Sequence, residues 1–238
     1  MEEWLSRTSL LLGEEPLSRL QNAHVLVVGV GGVGAYAAEM IVRAGVGRIT
    51  LLDADVVEET NINRQLVALH STLARPKVEV LGERLTDINP HLRLHTLCRY
   101  LEADDVEALL DARYDFVVDA IDTLAPKTAL LAACVRRRVP VISSMGAGAR
   151  LDPAAVAYAD ISKTCRCGLA REVRRRLRAQ GIDSGVEVVF STEQPVASAV
   201  RSTDGERNKR SLVGTVSYLP AVFGCYLAAY VIRQLSEA

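Results

Sequence analysis

The sequence predicts an α/β fold: a Rossmann-like doubly wound sheet, parallel in the N-terminal half and mixed in the C-terminal extension. Two local observations carry that prediction. The runs VLVV at 25–28 and ITLL at 49–52 lack polar–apolar alternation, as strands covered on both faces do. A glycine turn and a helical pattern separate them, which makes the unit a strand, a helix and a parallel strand. Length agrees, since 238 residues, 49% of them hydrophobic, supply one large core. The expectation is a single domain over 1–238, with a helical arm at 1–23, a nucleotide-binding half at 24–150 and a substrate-side half at 151–238.

Further elements follow in order. Periodicity places a helix at 76–88, a strand at 92–97, a helix at 104–111, a strand at 116–120, a helix at 126–138 and a strand at 139–143. Beyond Gly146, strand candidates at 155–160 and 186–190 flank an arginine-rich helix at 169–180. The segment 193–211, with Pro195, Gly205 and several charges, is expected as a long mobile loop. From 213 to 235 the chain is apolar but interrupted by Pro220, Gly224 and Arg233. A buried strand and helix fit it better than a membrane span, which needs about 20 consecutive apolar residues.

Composition narrows the function classes. A net charge of -1 gives no whole-molecule field toward nucleic acid or acidic membranes, so any such contact needs a local patch. The start, MEEWLSRTSLLLG, lacks the basic region and cleavage site of a secretory signal, and a cytoplasmic protein is expected. Five cysteines without framework spacing read as mostly buried thiols rather than disulfides. Cys165 and Cys167 are the only close pair, too few for a tetrahedral zinc site.

Gly29, Gly31 and Gly34 form G-x-G-x-x-G directly after a strand and at the start of a helix, with Gly32 as a further permissive position. Backbone amides and a helix N-terminus can then approach a phosphate without interference from Cβ atoms. Asp53 ends the second strand, where a carboxylate can accept from ribose hydroxyls. None of this separates a dinucleotide from ATP. The following residues do, because Asp53, Asp55, Asn61, Arg64, Gln65 and Lys77 form a set that hydride transfer does not require. Arg64 offers a planar fork of donors and Lys77 a point charge, suited to charge developing on an α-phosphate and a pyrophosphate leaving group. In DFVVDAIDT, Asp119 or Asp122 could hold Mg²⁺ at the ligand edge, with phosphates completing its shell.

In this order GVGGVG, DAD, TNINRQ, the lysine of RPKVE and DAID resemble the ATP site of the ubiquitin-activating-enzyme-like superfamily, which includes the molybdopterin-synthase and thiazole-pathway adenylyltransferases. The resemblance implies that Asp53 binds ribose and that Asn61, Arg64 and Lys77 contact phosphates. It implies that Asp122 serves Mg²⁺ in acyl-adenylate formation, and that the protein is a homodimer in which Arg7 reaches the partner's ATP. Sulfur-carrier adenylyltransferases of the superfamily usually carry two CxxC pairs and an acceptor cysteine, and this chain has neither pair. Instead SRTSLLLGEEPLSRL, INPH, DAIDTLAPK, SSMGAGARLDP, DISKT, LRAQGI and VVFSTEQP resemble the tRNA threonylcarbamoyladenosine dehydratase branch, enzymes that cyclise a modified adenosine in tRNA. Many members have Asp-Pro where Cys167-Gly168 stands. The implied cofactors are ATP and Mg²⁺, with a monovalent cation and sulfur-transfer partner proteins left open and neither zinc nor a membrane expected.

The arginine-rich helix bears on an RNA substrate. Leu169, Val173 and Leu177 recur at helical spacing on one face, and Arg171, Arg174, Arg175 and Arg178 on another, the latter expected to be exposed and to bind tRNA phosphates. Arg207, Lys209 and Arg210 could add to it. Two other functions stay open on the residues: adenylation of a ubiquitin-like sulfur carrier's C-terminus, and NAD-dependent oxidoreduction.

Overall fold

The computed structural model describes residues 2–206 and 209–237. Two short helices, α1 (Ser6–Leu12) and α2 (Glu14–Asn22), turn at Gly13 and lead to strand β1 (His24–Val28). The chain continues through α3 (Gly34–Arg43), β2 (Arg48–Leu52), α4 (Lys77–Ile88) and β3 (Arg93–Leu97). Then come α5 (Val106–Leu110), β4 (Phe116–Asp119), α6 (Leu124–Arg137) and β5 (Val141–Ser144). The C-terminal half contributes β6 (Val156–Asp160), α7 (Gly168–Arg178), β7 (Glu187–Ser191), β8 (Val200–Glu206), β9 (Lys209–Val213) and α8 (Tyr218–Glu237).

Strands β1 to β7 form one sheet in the order β3-β2-β1-β4-β5-β7-β6. Every pairing is parallel except that of β6 with β7. The expected mixed C-terminal half therefore comes from one reversed edge strand. From β1 the chain winds outward through β2 and β3, then returns to the other side of β1 as β4. Strand order reverses there, and the carboxyl ends of β1 and β4 open the crevice in which doubly wound sheets bind ligands.

Unalternated strands need cover on both faces. Val25, Val27, Ile49, Leu51 and Val118 pack under α3, α4 and α8, while Leu26, Val28, Leu52 and Val117 pack under α5 and α6. A third cluster lies between α6, α7 and β7. Each fully buried Val or Leu contributes about 1.5–3 kcal/mol. By length and composition α8 could cross a membrane. Here Leu219, Phe223, Leu227 and Val231 recur every fourth residue and are buried in the core against α3.

Two expectations change. Residues 193–211 are not one loop: β8 and β9 pair as an antiparallel hairpin. RSTDGE shows no apolar alternation, and periodicity does not find such a strand. Arg207 and the side chains of Lys209 and Arg210 lie outside the described residues. Helix α6 begins at Leu124 rather than near 126, with Thr123 extended before it, so Asp122 stands next to the cap rather than well upstream.

Candidate active site

The glycine turn joins β1 to α3, and its glycines have different reasons. Gly29 has φ 86°, and a Cβ there would lie 2.7 Å from the Ala120 carbonyl oxygen. On Gly34 a Cβ would lie 1.8 Å from the Gly29 oxygen, so this helix packs on its own turn only without a side chain. Gly31 is open: the nearest atom to an added Cβ is Gln65 Nε2 at 3.7 Å. Gly32 faces Pro220 of α8 and Arg64. Asp53 clamps the turn to the end of β2, accepting from the Val30 amide at 2.7 Å and the Asp55 amide at 2.8 Å. Two oxygens with about four acceptor sites leave room for a further donor such as a ribose hydroxyl. Burial raises the Asp53 carboxyl above its ordinary pKa, and the charge of Lys77 opposes the rise.

Of the expected phosphate-side residues, Arg64 and Gln65 lie against this turn, and Lys77 is linked to it through Asp55 and Asp53. Lys77, the first residue of α4, is buried, and its ammonium donates to Asp55 at 2.8 Å. Asp55 is exposed and thus orients the lysine from the solvent side. Arg64 donates from Nη1 to the Thr60 carbonyl at 2.8 Å and to Asn63 Oδ1 at 2.9 Å, which holds one edge of its guanidinium. Asn61 is buried, and its Oδ1 accepts from the Glu58 amide at 3.2 Å, so its side chain shapes the turn that carries Arg64. Beside Gly31, Gln65 Oε1 is buried without a partner among the described residues. Leaving such an acceptor unmet costs about 1–3 kcal/mol, and a ligand donor at the turn would relieve it.

At the end of β4 the two aspartates separate. Asp119 is fully buried: Ser143 donates to Oδ2 at 2.6 Å, the Ile121 amide to Oδ1 at 3.0 Å, and Lys127 Nζ lies 2.7 Å away. Lys127 also donates to the Ile121 and Ser144 carbonyls. Asp119 is thus sealed inside, and Asp122 is the exposed carboxylate at this edge. Lys127 is the residue that sequence reasoning missed. Its signal was present, because Lys127, Leu130, Leu131 and Cys134 follow the i, i+3, i+4, i+7 spacing of a buried helix stripe. Arg7 is exposed on α1, on the face that carries Leu10 and Leu11, which are 89% and 83% exposed.

Helix α7 differs from the expected cationic face. Ala170, Val173 and Leu177 form its buried stripe, with Leu169 half-buried. Arg174 turns inward and donates to the Thr164 carbonyl at 3.0 Å and to its hydroxyl. Glu172 accepts from Arg175 and Arg176, and Arg178 pairs with Asp183 at 3.5 Å. Arg171 is exposed. Cys167 is the buried N-cap of this helix, its sulfur accepting from the Ala170 amide at 3.4 Å, so the Cys167-Gly168 departure falls on a helix cap. Among the described residues no group of three or more His, Cys, Asp or Glu could hold a metal ion.

Known proteins match this architecture from end to end. The tRNA threonylcarbamoyladenosine dehydratase of Bacillus subtilis is 41% identical over 97% of this chain and 93% of its own length. Its Escherichia coli counterpart is 36% identical over 98% and 95%. The crystal structure of the Escherichia coli tRNA N6-threonylcarbamoyladenosine dehydratase in complex with ATP superposes with a TM-score of 0.89 at 34% identity, covering 99% of this chain and 94% of that one. By contrast, the molybdopterin-synthase adenylyltransferase of Escherichia coli matches only 56% of this chain, at 38% identity. The ThiF family model matches residues 5–238, and the chain belongs to the ThiF family.

Proposed function

We propose that this protein is an ATP-dependent tRNA-modifying enzyme that dehydrates N6-threonylcarbamoyladenosine by way of an acyl adenylate. The observation that carries the reading is the extent of the likeness: dehydratases match both halves of the chain, whereas the carrier-protein adenylyltransferase matches little more than half. The threonyl carboxylate attacks the α-phosphate of ATP, and pyrophosphate departs. Asp53 and the glycine turn seat the nucleotide, while Arg64 and Lys77 face the phosphates and stabilise the developing charge. The urea group of the same substrate then closes a ring on the activated carbonyl and expels AMP, which carries off the oxygen lost as water. Because that nucleophile is already tethered, its effective molarity is high and no protein nucleophile is needed.

Asp122 fits Mg²⁺, which is held through one or two carboxylates with phosphates and waters completing its shell. Bound with ATP, the ion would neutralise phosphate charge. The protein works as a cytoplasmic homodimer, paired through the α1 face of Arg7, Leu10 and Leu11, with each Arg7 extending to the partner's nucleotide.

The test is incubation of purified protein with ATP, Mg²⁺ and tRNA bearing the threonylcarbamoyl group, followed by mass spectrometry of the nucleosides. Loss of one water from the modified nucleoside is expected; unchanged mass with intact ATP sinks the reading. Arg64→Ala and Arg7→Ala are each expected to be inactive, and their mixture to regain part of the activity through hybrid dimers. No recovery on mixing refutes the shared site.

A further inference from the structure

We propose that the groove beside the edge strand β3 binds the sugar-phosphate backbone of the tRNA, an inference that rests on the tRNA reading above. Among the described residues strand β3 pairs only with β2. Helix α5, which should cover this face, has only 5 residues. What it leaves open is a groove of about 600 Å³ lined by Arg48, Arg93, His95 and Arg99, with His24 and Tyr114 behind, and no carboxylate among its lining residues.

Three arginines mark the groove, Arg48 and Arg93 at one end and Arg99 at the other. Arg93 and His95 alternate on β3, about 6.7 Å apart on one face, and Arg99 lies in the bend that follows the strand. Arg48 sits in register with Arg93 on the adjacent strand, doubling the charge at one end. Both arginines are exposed, and neither has an ion-pair partner among the described residues. Asp105 pairs with Arg99 at 2.8 Å, and the Asp115 carboxylate accepts from the His24 amide at 2.7 Å. The field is felt inside the protein: burial, then the charge of Arg48, lowers His24 to about 4. At its other end the groove approaches the carboxyl edge of the sheet, because Tyr100, next to Arg99, donates to Thr123 at 3.4 Å, and Thr123 follows Asp122.

Two exposed guanidinium groups side by side in a groove whose lining holds no carboxylate suit a phosphate backbone. The arginines of α7 are less available, since Glu172 and Asp183 engage three of them and Thr164 another. Phosphates passing along β3 would deliver the modified nucleotide to the crevice from the β2–β3 side of the sheet.

The full-length protein is titrated with fluorescently labelled tRNA at several salt concentrations, comparing wild type, Arg48→Gln/Arg93→Gln and Arg48→Lys/Arg93→Lys. The glutamine variant is expected to lose about tenfold or more in affinity and to show a log K against log salt slope shallower by about one to two. The lysine variant should restore most of the slope. Arg171→Gln/Arg175→Gln is expected to lose less than the β3 variant. Wild-type affinity and slope in the glutamine variant, with the wild type still dehydrating modified tRNA, overturn the groove while leaving the proposed function standing. A wild type that neither binds nor modifies tRNA removes both. If the glutamine variant binds tRNA normally but loses binding to an acidic polypeptide such as polyglutamate, the groove serves a protein partner and the proposal is wrong.

Discussion

Lys127 meets Asp119 at 2.7 Å, and Lys77 meets Asp55 at 2.8 Å. Neither side chain of the first pair is exposed, whereas in the second the lysine is 6% and the aspartate 63% exposed. Both pairs stand at the carboxyl edge of the sheet, one on each side of the glycine turn. Contact geometry hardly separates them; solvent access does. Asp119 and Lys127 have their remaining valences met by Ser143, Ser144 and the Ile121 peptide, which ties the start of α6 to β5. Such a closed network can stiffen a site but has no capacity left for a ligand. In the other pair the aspartate can trade its partner for water, freeing the lysine for a phosphate. Ion-pair distances within 0.1 Å of each other therefore mark a sealed strut in one place and, on the function proposed above, a cation available to a phosphate in the other.

Substitution tests the distinction. Lys127→Met leaves Asp119 buried without its cation, at a cost of about 3–5 kcal/mol. In a protein of this size that lowers the melting temperature by about 6–20 °C in thermal denaturation. A melting temperature within 2 °C or so of wild type would erase the contrast. Lys77→Ala is expected to do the reverse, cutting turnover by about 10²–10³ with a smaller change in melting temperature, as removal of one charge-stabilising donor does. Steady-state kinetics at saturating ATP decide it. The same variant sharpens the electrostatics. Lys77 opposes the burial that raises Asp53. Without Lys77 the Asp53 carboxylate protonates at higher pH, so the acidic limb of ATP affinity, measured by calorimetry, should move upward relative to wild type. An unmoved limb would mean that Lys77 does not bear on Asp53. Ser143→Ala removes one hydrogen bond from the closed pair and should cost about 1 kcal/mol, visible in chemical denaturation with turnover nearly unchanged.

Legibility followed the kind of signal each region carries. Local and periodic signals survived: the runs at 25–28 and 49–52 became β1 and β2, and Gly29 and Gly34 stand where a side chain would strike backbone. Among the phosphate-side set, proximity to the turn was readable but the holding partners were not, because Asp55 and Lys77 are brought together by the fold across an irregular segment. Lys127 escaped for the same reason, its partner lying on another element, although its place on an apolar stripe was visible. On α7 the error was local. Glu172 precedes Arg175 and Arg176 by three and four residues, the spacing at which helical charges meet, and counting arginines alone overlooked it. The β8–β9 hairpin was hidden because strands outside the main sheet, as these two are among the described residues, need not carry a buried-face pattern.

Helix α8 reaches across the molecule to the glycine turn. A Cβ on Gly224 would stand 2.5 Å from the Val33 oxygen, and Pro220 lies 3.2 Å from a Cβ on Gly32. The turn is thus closed by a helix about 190 residues further along the chain. Without α8 the chain has the glycines but not the wall behind them. A chain cut before Pro220 would therefore keep the sequence of the glycine turn while losing the surface that closes it.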